Sequence, residues 1–561
     1  MKICYIWVEK FRNFKNQGFN FSTSEKFEYD SINHLLFKND LKPLPVDFFG
    51  KRIVDVTGFI GENGTGKSNA LELVCKILKG GKSSLKNHFF IITKEKENYY
   101  CYYKPTILFN PSVNFDLNFV QYEKDIDPLK IIFTSNVSDG RDYNFDKKII
   151  DLSKNKNSLT KSRLFSMIEK VDSEFKIQMN FINSELFTVL NIKSPNKIQI
   201  KSNLWSAARN TFSEKQLFGN YYEDYRGFIN TFRSRINDIK VNNKLYYILV
   251  YSLYQETLKQ LNRLEKNEKD KYIEEFGRIT DFYKNSTTDE MIHDMLLWME
   301  YIAEKIEFRV KQNYSDEKAD TFVFKEHLRT LIDIKNLIQE IEIDNDNEGR
   351  GARFSETFIF DFNPQNSRLV EKLAIFVENS RMFEISWLGI SSGHKAYINI
   401  FASLSNELIG SKKSNLLLCI DEGDLYLHPR WQTEFLDRLL TFLPQIFGGK
   451  IQIILTSHSP FLLSDLPKQS INIFKDQQEY PVLNGNELEH ETFAGNIYKL
   501  YEEPFFLGNQ RLSLFASKKI NYLIKNISAN EELTSEELSH YIELIGDDII
   551  RHHLKKRLNY D

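Results

Sequence analysis

Cysteine is scarce in this chain: four residues in 561, at Cys4, Cys75, Cys101 and Cys419. They are scattered, show no zinc-ligand spacing, and mostly sit in apolar or strand-like runs. That pattern excludes a disulfide framework and reads as reduced core thiols of a cytosolic protein. Proline (13) and glycine (24) are also few, which argues against long disordered linkers. There is no secretory h-region, no transit-peptide pattern, and no run of the roughly 18 apolar residues that a membrane span needs. An excess of charge of one sign is lacking too: 74 Lys and Arg against 77 Asp and Glu leave a formal charge of −3. The molecule as a whole has no pull on nucleic acid, so any such contact must come from a local basic patch. What the chain does have is apolar material. Hydrophobic residues make up 41% and aromatics 14%, enough for a large interior at a length that suggests two or three lobes.

The most informative segment is Gly61-Glu62-Asn63-Gly64-Thr65-Gly66-Lys67-Ser68, a full match to G-x-x-x-x-G-K-[ST]. It follows the apolar stretch Ile53–Ile60 and opens a helix-like run, Asn69–Leu78. An ordinary Gly-rich turn is the plain alternative, but strand–loop–helix context is what a phosphate-binding loop requires. Its glycines let backbone N–H groups turn inward on phosphates. Lys67 can reach the terminal phosphates and the Ser68 hydroxyl can hold Mg²⁺. Asn63, Gly64, Thr65, Gly66, Lys67 and Ser68 are therefore the candidate residues for binding a nucleoside triphosphate.

A second stretch, Asn415–Glu422, runs through apolar residues to Asp421-Glu422. It reads as a buried parallel strand with two acids at its carboxyl end, where ligands of open α/β sheets bind. Asp421 is the candidate metal residue, mostly through water, and Glu422 the candidate general base for an attacking water. Alone, the pair reads equally well as an exposed acidic turn. Ile451–Leu455 is another buried-strand run, followed by Thr456-Ser457-His458-Ser459-Pro460. Ile390-Ser391-Ser392-Gly393-His394-Lys395 precedes an apolar helical pattern, so its amides can form an anion site at a helix N-terminus. Ile131–Asn136 is a strand ending in polar residues; Asn136 reads as a simple turn residue or, as the resemblance to ABC-type ATPases set out next implies, a Mg²⁺ contact.

Ser391, Ser392 and Gly393 resemble the signature motif of ABC-type ATPases, and His458 resembles their switch histidine. The resemblance implies that the signature of one subunit caps the γ-phosphate on the phosphate loop of the other, while His458 senses that phosphate. His394 stands where the signature usually has Glu or Gln. The order phosphate loop, signature, acid pair, histidine is that of the ABC/SMC class. Met1–Ser22, two strands broken by Phe11–Asn16, resembles the opening hairpin of SMC-like and RecF-like ATPases. Asp421-Glu422-Gly423-Asp424-Leu425-Tyr426-Leu427-His428-Pro429 resembles the branch containing OLD-family ATPases. With Ile385–Gly389, Glu491–Ile497, Phe505-Phe506 and Tyr541–Asp547, the chain resembles the PtuA family of Septu defence systems and Septu-type retrons, over residues 1–150 and 350–561. This implies a homodimer with ATP and Mg²⁺ sandwiched at the joint. It also implies an HNH nuclease partner of the PtuB type and, in retrons, a reverse transcriptase with its msDNA, an RNA–DNA hybrid. No membrane partner is expected, and the location implied is the bacterial cytoplasm.

The expected fold is α/β, an ABC/SMC-type P-loop ATPase head carrying a large, mainly helical insertion and a helical C-terminal tail. Roughly 350 residues between Ser68 and Asp421 are far too many for a loop. The expected division is residues 1–150 for the first half of the head, with antiparallel strands over Phe89–Phe133. Residues 151–350 form the insertion, 351–470 the second half of the head, and 471–561 a helical docking region. Helical patterns cover Leu245–Leu261, Lys269–Tyr283, Asp289–Val310 and Lys325–Ile343 without sustained heptads, which argues against a long coiled coil. Asp344–Gly351 reads as a polar linker. Asp547-Asp548 lies in a helical pattern, not at the strand ends that a Toprim nuclease would need. Basic clusters at Lys76–Lys86, Lys154–Arg163 and Arg226–Lys244 read as solvated faces or as phosphate-binding ones. Two rival functions remain open on the residues alone: a RecF-type DNA-maintenance ATPase, and a scaffold that binds nucleotide without hydrolysing it.

Overall fold

A computed structural model describes the chain except residues 80–84, 105–108, 123–125, 127–128, 155–173, 203–214, 216, 237–238, 262–269, 275–284, 314–317, 349–354, 379–382, 476–481, 503–511, 530–532 and 559–561. Its centre is a seven-stranded sheet. In spatial order the strands are Ile149–Asp151, Leu129–Ser135, Asn415–Asp421, Lys450–Ser457, Ile53–Gly61, Ile471–Phe474 and Val482–Asn484. All neighbours are parallel except the last pair. The middle strands are near-continuous apolar runs because both faces are covered; Asn415–Asp421 is buried at every position.

The two faces feed two cores. Leu417 and Cys419 pack with the phosphate-loop helix Lys67–Lys79 and with Ile3, Ile6 and Ile91 of an N-terminal sheet that is antiparallel except for its last pair, Asn98–Tyr103 and Leu117–Gln121, which is parallel. Leu416, Leu418 and Ile420 alternate to the opposite face. There the core runs on without a break into the helices Val241–Leu261 and Thr288–Asn313 and to the buried Trp298. The N-terminal sheet orders as Phe14–Asn20, Lys2–Phe11, Phe89–Glu95, Asn98–Tyr103 and Leu117–Gln121. The break in its opening hairpin is narrower than the sequence suggests, only Arg12 and Asn13.

Two segments in the middle of the chain depart from the reading of the sequence. Lys197–Ser202 is a strand between Ser355–Asp361 and Phe383–Leu388, antiparallel to both. Asp344–Glu348, expected as a linker, is the edge strand of that sheet. Its DNDNE sequence has poor strand propensity, and pairing with Ser355–Asp361 overrides it. The helices Val241–Leu261, Thr288–Asn313 and Lys318–Leu337 match three of the expected patterns, while most of Lys269–Tyr283 lies outside the described residues. In Tyr222–Ile236, Phe228, Phe232 and Ile236 face the core, so the rings interleaved with that basic cluster are spent on packing. Lys244 is buried and pairs with Glu356 at 3.1 Å. The cluster after Lys154 lies outside the described residues.

At the C-terminus, helices Leu514–Ala529, Ser535–Glu543 and Asp548–Leu558 close a small core of their own around Leu523, Ile527, Leu538, Ile542 and Leu554. All four cysteines are buried free thiols. Among the described residues, no helix is long and apolar enough to cross a membrane.

Candidate functional site

Parallel register builds the site at the carboxyl edge of the central sheet. Ser135 lies opposite Asp421, Asp421 opposite Thr456, and Ser457 opposite Ile60. The strand Ile53–Gly61 then enters the phosphate loop. Gly64 (φ +82°) and Gly66 (φ +101°) take the left-handed conformations that curl the loop. A Cβ on Gly66 would meet the Asn13 side chain at 2.5 Å. Asn13, at the tip of the opening hairpin, donates to the Thr65 carbonyl (3.3 Å) and accepts from Asn69 (2.9 Å). The hairpin therefore braces the loop.

Lys67 is buried, and its ammonium donates to the carbonyls of Gly61 (3.0 Å) and Glu62 (2.8 Å). Burial pulls its pKa down to about 8, against the opposing pull of the Glu422 and Asp421 carboxylates. Ser68 Oγ donates to Asp421 Oδ1 at 2.9 Å, and Thr456 Oγ1 donates to the same oxygen at 2.7 Å. Asp421 is thus tied to the phosphate loop on one side and the neighbouring strand on the other. Its burial raises its pKa, and these hydroxyls oppose the rise.

Glu422 has φ +49°, an uncommon backbone state for a residue with a side chain. The Thr456 hydroxyl receives its N–H at 2.9 Å, which holds the turn. The Glu422 carboxylate lies 3.3 Å from His458 Nε2, and His458 Nδ1 lies 3.4 Å from Lys67 Nζ. A neutral His458 carrying its proton on Nε2 satisfies both contacts, accepting from Lys67 and donating to Glu422. The hydrogen bond from His458 lowers the Glu422 pKa more than burial raises it, so the carboxylate is ionised near neutrality.

The structure thus brings Lys67, Ser68, Asp421, Glu422 and His458 together. Asn136 is buried and donates to the Gly423 carbonyl at 2.9 Å, which engages its amide nitrogen with the acid-pair turn. Ser391, Ser392 and Gly393 stand elsewhere, at the start of helix Ser392–Leu408. Ser391 caps that helix by accepting from His394 N–H at 3.1 Å. Gly393 presses on the loop after the acid pair, and a Cβ there would meet the Tyr426 carbonyl at 2.2 Å. Ser391 and Ser392 are exposed. His394 packs edge-on against Trp431, and burial lowers its pKa.

Sequence reasoning missed several supporting groups. Thr456 joins both acids, as above. Asp424, buried, accepts from Ser457 Oγ at 2.5 Å, and burial pushes its pKa up to about 6. Arg12 and Arg141 converge on Glu72, whose side chain has no exposed surface, with Lys76 as a third cation. Tyr143 donates to Asp421 Oδ2 at 3.4 Å. Asp424 and Thr456 lay inside motifs already singled out; Arg141 and Tyr143 carried no motif.

The donor set fits a magnesium nucleotide. The phosphate loop offers left-handed glycines and a buried cation, and beside them Ser68 and Asp421 present hard oxygens of the kind Mg²⁺ takes alongside phosphate.

The chain is 24% identical over 265 residues to the Retron Vc95 probable ATPase of Vibrio cholerae serotype O1 biovar El Tor, covering 43% of this chain and 50% of that protein. It is 26% identical over 192 residues to the Retron Ec83 probable ATPase of Escherichia coli, 32% of this chain and 33% of that one. It is 30% identical over 131 residues to the Old nuclease of Escherichia phage P2, 22% and 20% respectively. The matches thus span half or less of each of these relatives. The model of the AAA ATPase domain matches residues 1–463, and the chain belongs to that family.

Proposed function

We propose that the chain is the ATP-binding and ATP-hydrolysing regulatory subunit of a bacterial anti-phage defence complex, with an ABC/SMC-type head that works as a pair. The observation that carries this is the convergence of Lys67, Ser68, Asp421, Glu422 and His458 at one sheet edge. In this reading the phosphate-loop amides and Lys67 hold the phosphates, while Ser68 and Asp421 hold Mg²⁺. When bound, Mg²⁺ neutralises charge that develops on the phosphate oxygens. Glu422 orients the attacking water and takes its proton, and His458 fixes the Glu422 carboxylate while facing the terminal phosphate. The exposed Ser391 and Ser392, with the Gly393 amide, reach the site of a second copy.

Loss of the terminal phosphate would release that joint and tell an effector what to do. The retron ATPase names of two relatives support a defence setting, and the resemblance to PtuA supplies the effector: an HNH nuclease of the PtuB type. Within a retron, a reverse transcriptase and its msDNA would join the complex. The C-terminal three-helix unit, with its separate core, is the docking element. The experiment is Glu422→Gln. Hydrolysis should fall by about 10²–10⁴-fold while nucleotide binding persists, so that ATP-bound pairs accumulate. Normal turnover by this variant would show that Glu422 is not the base.

A further inference from the structure

Asp421 has two carboxylate oxygens, and they are held differently. Oδ1 accepts from Ser68 at 2.9 Å and Thr456 at 2.7 Å. Oδ2 faces the hydroxyl of Tyr143 at 3.4 Å. Tyr143 lies between the strands Leu129–Ser135 and Ile149–Asp151 and is only 3% exposed. Its ring is wedged against Phe133 (4.8 Å between centroids) and stacked on Phe145 (5.3 Å, planes 4° apart). Above it sits the Arg141 guanidinium, 4.7 Å from the ring centroid. Arg141 is itself pinned to the phosphate-loop helix, donating to Asn69 Oδ1 and Glu72 Oε2 at 2.7 Å each. The phenol O–H is the donor in this contact, and the carboxylate oxygen accepts.

We propose that Tyr143 is a positioning residue for the metal: locked by Phe133, Phe145 and Arg141, its hydroxyl sets the rotation of the Asp421 carboxylate and so the geometry in which Mg²⁺ is taken. This rests on the metal-holding role given above to Asp421. The physical warrant is that groups bonded to a metal-binding side chain govern metal affinity through its orientation. Because Arg141 is anchored on the phosphate-loop helix, the same device ties that orientation to the loop that holds the nucleotide.

The test is Tyr143→Phe, which keeps the ring packing and removes only the hydroxyl. Mn²⁺ binding to the full chain is titrated by electron paramagnetic resonance with a non-hydrolysable ATP analogue present. Affinity for the analogue is measured separately in EDTA. The expected result is Mn²⁺ affinity lowered about tenfold, with analogue affinity in EDTA and the melting midpoint unchanged. Arg141→Ala should lower Mn²⁺ affinity in the same direction, because the ring loses its cover. Unchanged Mn²⁺ affinity in Tyr143→Phe would overturn the proposal, as would an equal fall in EDTA. If the wild-type chain itself binds the analogue with no Mn²⁺ dependence, the role given to Asp421 is wrong and this inference falls with it.

Discussion

Lys67 provides the sharpest energetic test of the site. Its ammonium is buried, and its pKa of about 8 lies well below the ordinary lysine value of 10.5. Below pH 8 the lysine is charged in both folded and unfolded chains, and the folded state bears the whole cost of burying that charge. A shift of this size corresponds to roughly 3 kcal/mol. Lys67→Met removes the charge but strips a donor from the Gly61 and Glu62 carbonyls, a loss of about 1 kcal/mol each. The net expectation at pH 7 is a nucleotide-free variant stabilised by about 1 kcal/mol. The pH dependence is cleaner than the absolute value. Because the folded pKa is depressed, the folded chain binds fewer protons between pH 8 and 10.5, so wild-type stability gains as pH rises through that window. Lys67→Met lacks that gain. Urea denaturation of both proteins from pH 7 to 10, without nucleotide, measures the difference. The reasoning fails if both proteins show the same slope, or if the variant is the less stable at every pH. Added Mg²⁺–ATP should stabilise the wild type and leave the variant unmoved, since the cation proposed to meet the phosphates is gone.

Asp424 offers the opposite sign. Its folded pKa of about 6 exceeds the ordinary 3.8, so the folded chain binds more protons between these values and loses stability as pH rises through them. Asp424→Asn keeps an acceptor for Ser457 and should be the more stable protein at pH 7, by up to about 3 kcal/mol, with the advantage vanishing near pH 4 in thermal melts. Glu72→Ala should leave Arg12, Arg141 and Lys76 without their shared carboxylate. A loss of roughly 3 kcal/mol is expected, with the opening hairpin exchanging its amide hydrogens faster than the rest of the N-terminal sheet.

How much of this was legible depended on whether the signal was local. Gly61 to Ser68 is contiguous, so its chemistry is written in adjacent letters. The strand Asn415–Asp421 announces itself because full burial demands an unbroken apolar run. By contrast, Tyr143 meets Asp421 across 278 residues, and only the parallel register of the sheet brings them together. The strand Lys197–Ser202 did carry a signal, since its KIQIKS sequence alternates with period two, but it is embedded among helical patterns. Asp344–Glu348 carried none, because acidic and amide residues favour turns until a neighbouring strand offers a ladder. The basic stretch Arg226–Lys244 shows the converse. Its spacing left open a solvated face or a surface for phosphates, whereas its apolar side chains supply the core-facing side of helix Tyr222–Ile236, and Lys244 is buried against Glu356.

In the proposed function each ATP site is composed of two chains. Lys67→Met disables the phosphate loop of one copy, and Ser392→Glu places a negative charge on the exposed start of helix Ser392–Leu408. Each variant alone should hydrolyse ATP negligibly. Mixed in equal amounts, they should form pairs with one intact composite site, restoring roughly a quarter of the wild-type rate if pairing is random. A mixture as inactive as its components, or a Ser392→Glu variant that is fully active alone, would show that the site is complete within a single chain.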